Sequence, residues 1–331
     1  MQASSPVLGF PNTSGLFSLL RDLRGRPIYV LDLTDKRGRP LGNHGDWIMH
    51  RVFDRLLDDL GVDRVAASHA EAIVIPPNGA LLDVYQAPGI IAERLRLLPD
   101  LPVYIFPSSA RFVTSDPAEM FTGRRSPVLW ISRERHSHEH LSRHWAASLS
   151  KAGVHLALDH DVVCSGHTYI PDLFPEAQPR TALVVARLEA ESKPLGSRPT
   201  SPSPSRKALV AAFTNMPSAR ARQVVRRRVT SERQKIANAA MLATLGSKAI
   251  AFEGHPPGIN LDISDPSLCT RENYRRELAG AAVVASNRLH VALPAAILGR
   301  RVFLVNTGYH KLSGVYEQSL GDVPNLTFVP N

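Results

Sequence analysis

The chain has 331 residues, of which 44% are hydrophobic and 21% charged, and its formal net charge is +9. This composition excludes the disordered, collagen-like and disulfide-rich classes and predicts a globular protein of two domains. The positive charge favours acidic partners such as phosphate compounds, anionic polysaccharides, lipid head groups or nucleic acid, without choosing among them.

Export and membrane insertion are not indicated. The first residues, MQASSPVLGFPNTSG, lack the basic and apolar regions of a signal peptide, and no apolar run approaches the roughly 20 residues that cross a bilayer. The two cysteines, Cys164 and Cys269, cannot form a disulfide framework and have no metal-ligand spacing. We therefore expect a soluble protein of the cytoplasm, and peripheral association with the inner face of the membrane stays open.

Short apolar strands alternate with helical patterns in the first half of the chain. Strands are predicted at 27–33, 72–76, 103–106, 128–131 and 154–158, and helices at 47–60, 88–98 and 138–152. Strands separated by helices are typical of a parallel sheet in an open α/β architecture.

The pattern resumes after Thr181 with the strand-like ALVV, which runs into ARLEAES. The segment at 194–206, PLGSRPTSPSPSR, is so rich in Pro and Ser that we expect a disordered insertion. Strands are then predicted at 208–213, 248–252, 281–285 and 301–305, and a helix at 219–245. The sequence thus predicts two α/β domains, 1–170 and 171–331.

The loop after the first strand reads LGNHGD and precedes a helix. Gly42 and Gly45 permit a tight backbone, and Asn43 or Asp46 can cap the helix. Such a loop exposes backbone N–H groups where an anion is favoured, although a capped turn without a ligand is an equal alternative. The loop has neither the GxGxxG spacing nor the GK[ST] ending, so a dinucleotide or P-loop site is not predicted.

A second loop, in ASNRLHVALPAAILG at 285–299, places polar side chains where an apolar strand meets an apolar helix. Arg288 and His290 are predicted at the carboxyl edge of the sheet, beside a helix N-terminus. Arginine offers a planar donor fork to carboxylate or phosphate, and histidine can move a proton near neutral pH. The alternative is an arginine paired with an acidic neighbour and a satisfied, half-buried histidine.

Two more strand ends carry cationic residues. Arg187 follows the strand at 181, where an ion pair with Glu189 or Glu191 is the alternative, and the NTGYHKLSGVY run at 306–316 contains Lys311. Because ligands of parallel sheets bind beyond the carboxyl ends of the strands, loops of this kind together favour an anion site.

Other candidate sites are weaker. The run RERHSHEHLSRH places His136, His140 and His144 one helical turn apart, but without a carboxylate or cysteine set we predict a solvated helix rather than a metal site. The arginine-rich RARQVVRRR at 220–228 is interpreted as a solvated helix face that could also meet an acidic glycan or membrane phosphates. No RNA-binding motif and no GxSxG elbow occur, so neither nucleic acid nor covalent catalysis is predicted.

Taken together, GNHGDWIM, ARLEAES, SNRLHVALPAAILG and VFLVNTGYHKLSGVYE resemble the polysaccharide pyruvyl transferase family, most closely over 42–48 and 281–317. The resemblance implies two Rossmann-like parallel-sheet domains facing a cleft, as in glycosyltransferases of the B type. It also implies an enzyme that uses phosphoenolpyruvate to place a pyruvate ketal on a sugar of a polysaccharide or lipid-linked oligosaccharide. No metal and no further cofactor are implied.

Carried over to matching positions, the resemblance implies that Arg288, Leu289 and His290 of the RLH motif contact the donor. Arg187 matches the mid-chain arginine of the family, and Lys311 would help to orient the donor. His290 is the residue expected to transfer the proton.

The GNxGD loop, with Asn43, Gly45 and Asp46, is assigned to the cleft on the acceptor side. The mid-chain match departs from the family pattern at Leu188, and the insertion at 194–206 separates it from the rest of the second domain. Two alternatives stay open, namely a nucleotide-sugar-dependent glycosyltransferase of the same architecture and a catalytically degenerate member that only binds glycan.

Overall fold

The protein, as a computed structural model, is described over residues 9–34, 42–79, 81–83, 85–187, 219–306 and 310–330, the side chains of 219–228 excepted. The chain packs as two units. The first comprises Met1–Phe174, Ile297–Gly299 and Ser313–Pro324, and the second comprises Pro175–Ala296, Arg300–Leu312 and Asn325–Asn331. The predicted insertion at 194–206 and the predicted strand at 208–213 lie outside the described residues.

The first unit is built on a parallel sheet. Its helices are α1 (Ser14–Leu19), α2 (His44–Leu60), α3 (Ala87–Leu95), α4 (Arg135–His144), α5 (Ala146–Lys151) and α6 (Val162–Ser165). Its strands are β1 (Pro27–Val30), β2 (Asp63–Arg64), β3 (Ala72–Ile75), β4 (Leu81–Leu82), β5 (Val103–Ser108), β6 (Ala110–Arg111), β7 (Val128–Ser132) and β8 (Val154–Leu158). Within the described residues, six of these strands pair in the order β2-β1-β3-β5-β7-β8, and β4 pairs with β6.

Burial explains the apolar runs of this sheet. Every residue of β3 is buried, as expected for an inner strand of a parallel sheet that is covered on both faces. Trp130 belongs to a buried cluster with Phe112 and Phe121, whose rings meet the indole in edge-to-face geometry.

The single helix predicted at 138–152 is wrong, because the structure divides it into α4 and α5. The division falls at Trp145, where φ is −128° and ψ is 7°, and the indole Nε1 donates to the carbonyl of Phe112 at 3.1 Å. The first of the two helices also begins earlier than predicted. The side chain of Glu134 caps it by accepting from the backbone N–H of Ser137 at 2.7 Å.

The second unit contains β9 (Thr181–Val185), α7 (Ala219–Leu245), α8 (Arg271–Gly280), β10 (Ala281–Ser286), α9 (Leu289–Ile297), β11 (Arg301–Val305), α10 (Lys311–Ser319) and β12 (Leu326–Val329). The last residue of α9 and most of α10 belong to the first unit. Its four described strands are parallel and lie in the order β12-β11-β10-β9. The strand predicted at 248–252 is wrong, since Gly246–Phe252 forms a 3₁₀ helix.

The α/β class with parallel sheets is thus confirmed. No helix in the described ranges combines the length and the apolarity that a membrane span requires.

Candidate anion site at the carboxyl edge of the second sheet

The ends of β9 and β10 bring two predicted site residues together. The strands are parallel neighbours with Ser286 opposite Val185, so the segments that continue from them leave the sheet side by side. The backbone N–H of Arg187 donates to Oδ1 of Asn287 at 2.6 Å. Arg187 and Arg288 therefore begin from backbone positions that are tied to each other.

The turn at Ser286 is fixed by a hydroxyl. Its Oγ donates to the carbonyl of Val185 at 2.9 Å and accepts from the backbone N–H of Arg288 at 3.0 Å. One side chain thus joins the end of β9 to the turn that carries Arg288, which limits the positions this arginine can take.

Side chains from α7 hold the residue before Arg187. Gln234 Nε2 donates to the carbonyl of Ala186 at 2.7 Å, and the N–H of Ala186 donates to Oδ1 of Asn238 at 3.0 Å. Gln234 Nε2 also donates to Asn238 Oδ1 at 2.9 Å, and Asn238 Nδ2 donates to Asn260 Oδ1 at 2.8 Å. Gln234 and Asn238 are buried, so these bonds are shielded from water.

A loop beside β9 delivers the acidic partner of this site. The N–H of Ala182 donates to Pro256 at 2.9 Å and the N–H of Gly258 donates back to Ala182 at 2.8 Å, which is a parallel bridge. Because the loop runs in the strand direction, it carries Asn260 and Asp262 towards the carboxyl edge.

Arg288 and Asp262 form a buried ion pair. Nη2 of the guanidinium donates to Oδ2 of the carboxylate, and the two residues are only 7% and 3% exposed. The Nε of Arg288 has no hydrogen-bond partner in the part of the chain that the structure describes. Burial raises the pKa of Asp262, although the neighbouring guanidinium acts in the opposite direction. The acidic neighbour that the sequence left open as an alternative is therefore present, and the guanidinium holds a buried donor, Nε, that this neighbour does not satisfy.

His290 lies at a bend. Its φ of −86° and ψ of 21° interrupt the geometry of α9, and its carbonyl accepts a hydrogen bond from the hydroxyl of Tyr274. The imidazole is half-buried, two residues beyond Arg288. Leu289 between them is buried, and Lys311 is half-buried at the start of α10.

The GNxGD loop lies in the first unit and forms a helix cap. Asn43 Oδ1 accepts from the N–H of Gly45 at 2.7 Å, and the N–H of Asn43 donates to Asp46 Oδ2 at 2.7 Å, which completes a capping box for α2. Gly42 has a φ of +118°, a conformation that favours glycine. Capping accounts for these residue types, while the predicted acceptor role stays a prediction.

The histidines of the RERHSHEHLSRH run lie in α4, and the structure shows a contact of one of them with the backbone. Nε2 of His140 lies 3.1 Å from the backbone nitrogen of Phe112. Among the described residues, no three His, Cys, Asp or Glu side chains are grouped so that they could hold a metal ion.

Sequence reasoning missed Gln234, Asn238, Asn260 and Asp262. The first two occur in a long polar helix and are typical of a solvated face, and the other two lie in a loop without a motif. The sequence contains no signal for them, because the parallel bridge that brings Asn260 and Asp262 to the site is visible only in the structure.

Comparison with known proteins adds information on the fold. No protein-family model and no curated protein matches the chain. Among solved structures, the chain is similar to a functionally uncharacterized protein from Klebsiella pneumoniae subsp. pneumoniae NTUH-K2044, with 14% sequence identity and a TM-score of 0.55. The match covers 95% of this chain and 97% of the other, and at this identity it supports a common fold alone.

Proposed function

We propose that this protein is a pyruvyl transferase, which moves the pyruvyl group of phosphoenolpyruvate onto a sugar of a polysaccharide or its precursor as a ketal. The supporting observation is the pair of arginines, Arg187 and Arg288, on strand ends that are joined through Asn287. Phosphoenolpyruvate carries a carboxylate and a phosphate, which are the groups that a guanidinium binds through two parallel hydrogen bonds. We further propose that the two units are the domains of a glycosyltransferase-B-like enzyme.

The proposed reaction uses few groups. Protonation of the methylene carbon makes the central carbon of phosphoenolpyruvate electrophilic, and a sugar hydroxyl adds to it. Phosphate then leaves and a second hydroxyl of the sugar closes the ketal. The sugar hydroxyls lose two protons in total. This loss matches the proton gained by the methylene carbon and the proton carried by the released phosphate. His290 supplies the first proton, and Arg187, Arg288 and Lys311 orient the donor.

The cytoplasm is the proposed location, and it is compatible with two buried free thiols, Cys164 and Cys269.

The direct experiment incubates the purified protein with phosphoenolpyruvate and glycan acceptors and measures phosphate release. We expect release that requires both substrates. Release of UDP from a UDP-sugar would instead indicate a glycosyltransferase, and glycan binding without either release would indicate a degenerate member.

The donor site is tested by calorimetry with phosphoenolpyruvate. Arg288→Lys keeps the charge but loses the donor fork, and it should weaken binding by about 1.5–3 kcal/mol. Arg301→Lys is the control, since Arg301 is exposed at the amino end of β11. Unchanged affinity in the Arg288 variant would exclude this residue as the donor clamp.

A further inference from the structure

The guanidinium of Arg288 already has an ionic partner. Its Nη2 donates to Oδ2 of Asp262, whose other oxygen accepts from the backbone N–H of Ser264 at 3.1 Å. Both members of the pair are buried, so water screens their interaction weakly. An anion that binds Arg288 therefore meets a carboxylate that is in contact with the same guanidinium.

The pKa of the Asp262 carboxyl is raised above its usual value. Burial raises the pKa of Asp262 and the charge of Asp265 adds to the effect, whereas Arg288 opposes it. Burial also raises the pKa of Cys269 to about 11, and that of Tyr274 well above its usual range. The thiol and the phenol therefore stay neutral near pH 7, so neither adds a negative charge that would compete for Arg288.

We propose that Asp262 controls the affinity of this site for anions, because its carboxylate competes with the anionic ligand for Arg288. Protonation of Asp262 removes the competing charge and leaves Nε and Nη2 to bind the anion together. An anion should therefore bind with uptake of one proton. The inference rests on the proposed function only in requiring that Arg288 binds an anion, and it is independent of any later chemical step.

Sulfate is a suitable probe, because it does not titrate near neutral pH and does not react. Calorimetric titrations with sulfate at about pH 5.5 and pH 7.5 would compare the wild type with Asp262→Asn. Asp265→Asn is the matched control, since it removes a nearby carboxylate that forms no bond to Arg288. The same comparison in a His290→Gln background separates any effect of this imidazole, the nearest one along the chain, from that of Asp262.

We expect wild-type sulfate affinity to fall by about tenfold or more from the lower to the higher pH, the factor for one charged hydrogen bond. Asp262→Asn should bind sulfate more tightly than the wild type at pH 7.5 and with a weaker pH dependence, also in the His290→Gln background, and Asp265→Asn should keep the wild-type pH dependence. Equal gains in the two Asn variants, or no gain in Asp262→Asn, would overturn the proposal. If Asp262→Asn fails to fold, a wild-type affinity that does not change with pH would overturn it.

The outcomes also separate this inference from the proposed function. If neither Asp262→Asn nor Arg288→Lys changes the affinity for sulfate, both the competition and the role of Arg288 in binding the donor are overturned. The expected sulfate results without phosphate release from phosphoenolpyruvate leave the competition standing and remove the pyruvyl transferase. Pyruvyl transfer that needs Arg288 but is indifferent to Asp262→Asn removes the competition alone.

Discussion

Removing the charge of Asp161 should destabilise the first unit strongly, because it leaves a buried arginine without its ionic partner. Arg133 and Asp161 are both 0% exposed, and Nη1 of the arginine donates to the carboxylate at 2.7 Å. Nε donates to the hydroxyl of Ser109 at 2.7 Å, and Nη2 has no hydrogen-bond partner in the described ranges. Breaking a buried pair from one side costs about 3–5 kcal/mol.

The substitution of choice is Asp161→Asn. Asp161 also caps α6 by accepting from the N–H of Val163 at 2.9 Å, and asparagine preserves that cap. The substitution removes the negative charge opposite Arg133. For a unit of this size, a cost of about 3–5 kcal/mol corresponds to a fall in Tm of about 6–20 °C.

Urea denaturation monitored by circular dichroism would measure the change in the free energy of unfolding, and thermal denaturation the change in Tm. The control is Glu139→Gln, because Arg143 and Glu139 pair at 2.8 Å but are 72% and 40% exposed, and an exposed pair is worth less than about 1 kcal/mol. The two pairs have similar distances and differ in burial. Similar losses in the two variants would refute the reasoning that burial sets the cost.

Three further predictions concern other positions. Gly42→Ala should cost about 1–3 kcal/mol in free energy of unfolding, since a Cβ at this φ of +118° would lie 2.5 Å from Asp46 Oδ2. Gly61→Ala, where φ is also positive at +65° but the new Cβ would meet no atom within 4 Å beyond the neighbouring residues, should cost less, and equal costs would exclude the steric explanation. Burial raises the pKa of Asp159, so the folded protein holds this proton more tightly and loses stability as the pH rises above the unfolded value of about 3.9. Asp159→Asn should therefore be more stable than the wild type at neutral pH, and a difference that is unchanged near pH 4 would contradict this cause. For the proposed transfer, His290→Gln should lower turnover with phosphoenolpyruvate by about 10²–10⁴-fold and weaken donor binding less than an Arg288 variant does. Turnover near the wild-type rate would remove His290 from the mechanism.

The sequence predicted the elements whose signal is local. The helix at 219–245 and the strand at 301–305 have the predicted bounds. The segment 248–252 was misassigned, because an apolar run this short does not distinguish helical from extended periodicity. In the structure it lies directly after α7, and Ala251 and Phe252 pack against the core while Ile250 is exposed.

The other differences between the predicted and the observed structure depend on contacts between residues that are distant in the sequence. The break at Trp145 depends on the carbonyl of Phe112, which is 33 residues away in the chain. The early start of α4 depends on Glu134, a residue type that does not signal a helix N-cap. In the site, the motif predicted Arg288 at a strand end, but its partner Asp262 comes from a loop that reaches the site only because it pairs with β9.

The hydrogen bond from Tyr274 to the carbonyl of His290 has a consequence for kinetic experiments. Since burial raises the pKa of the phenol well above its usual value, the hydroxyl keeps its proton throughout the pH range in which enzymes are assayed. The hydrogen bond that Tyr274 donates at the bend of His290 therefore persists as the pH rises. In a pH–rate profile of the proposed transfer, this hydrogen bond would therefore stay intact, and a change in rate would come from other groups that gain or lose protons.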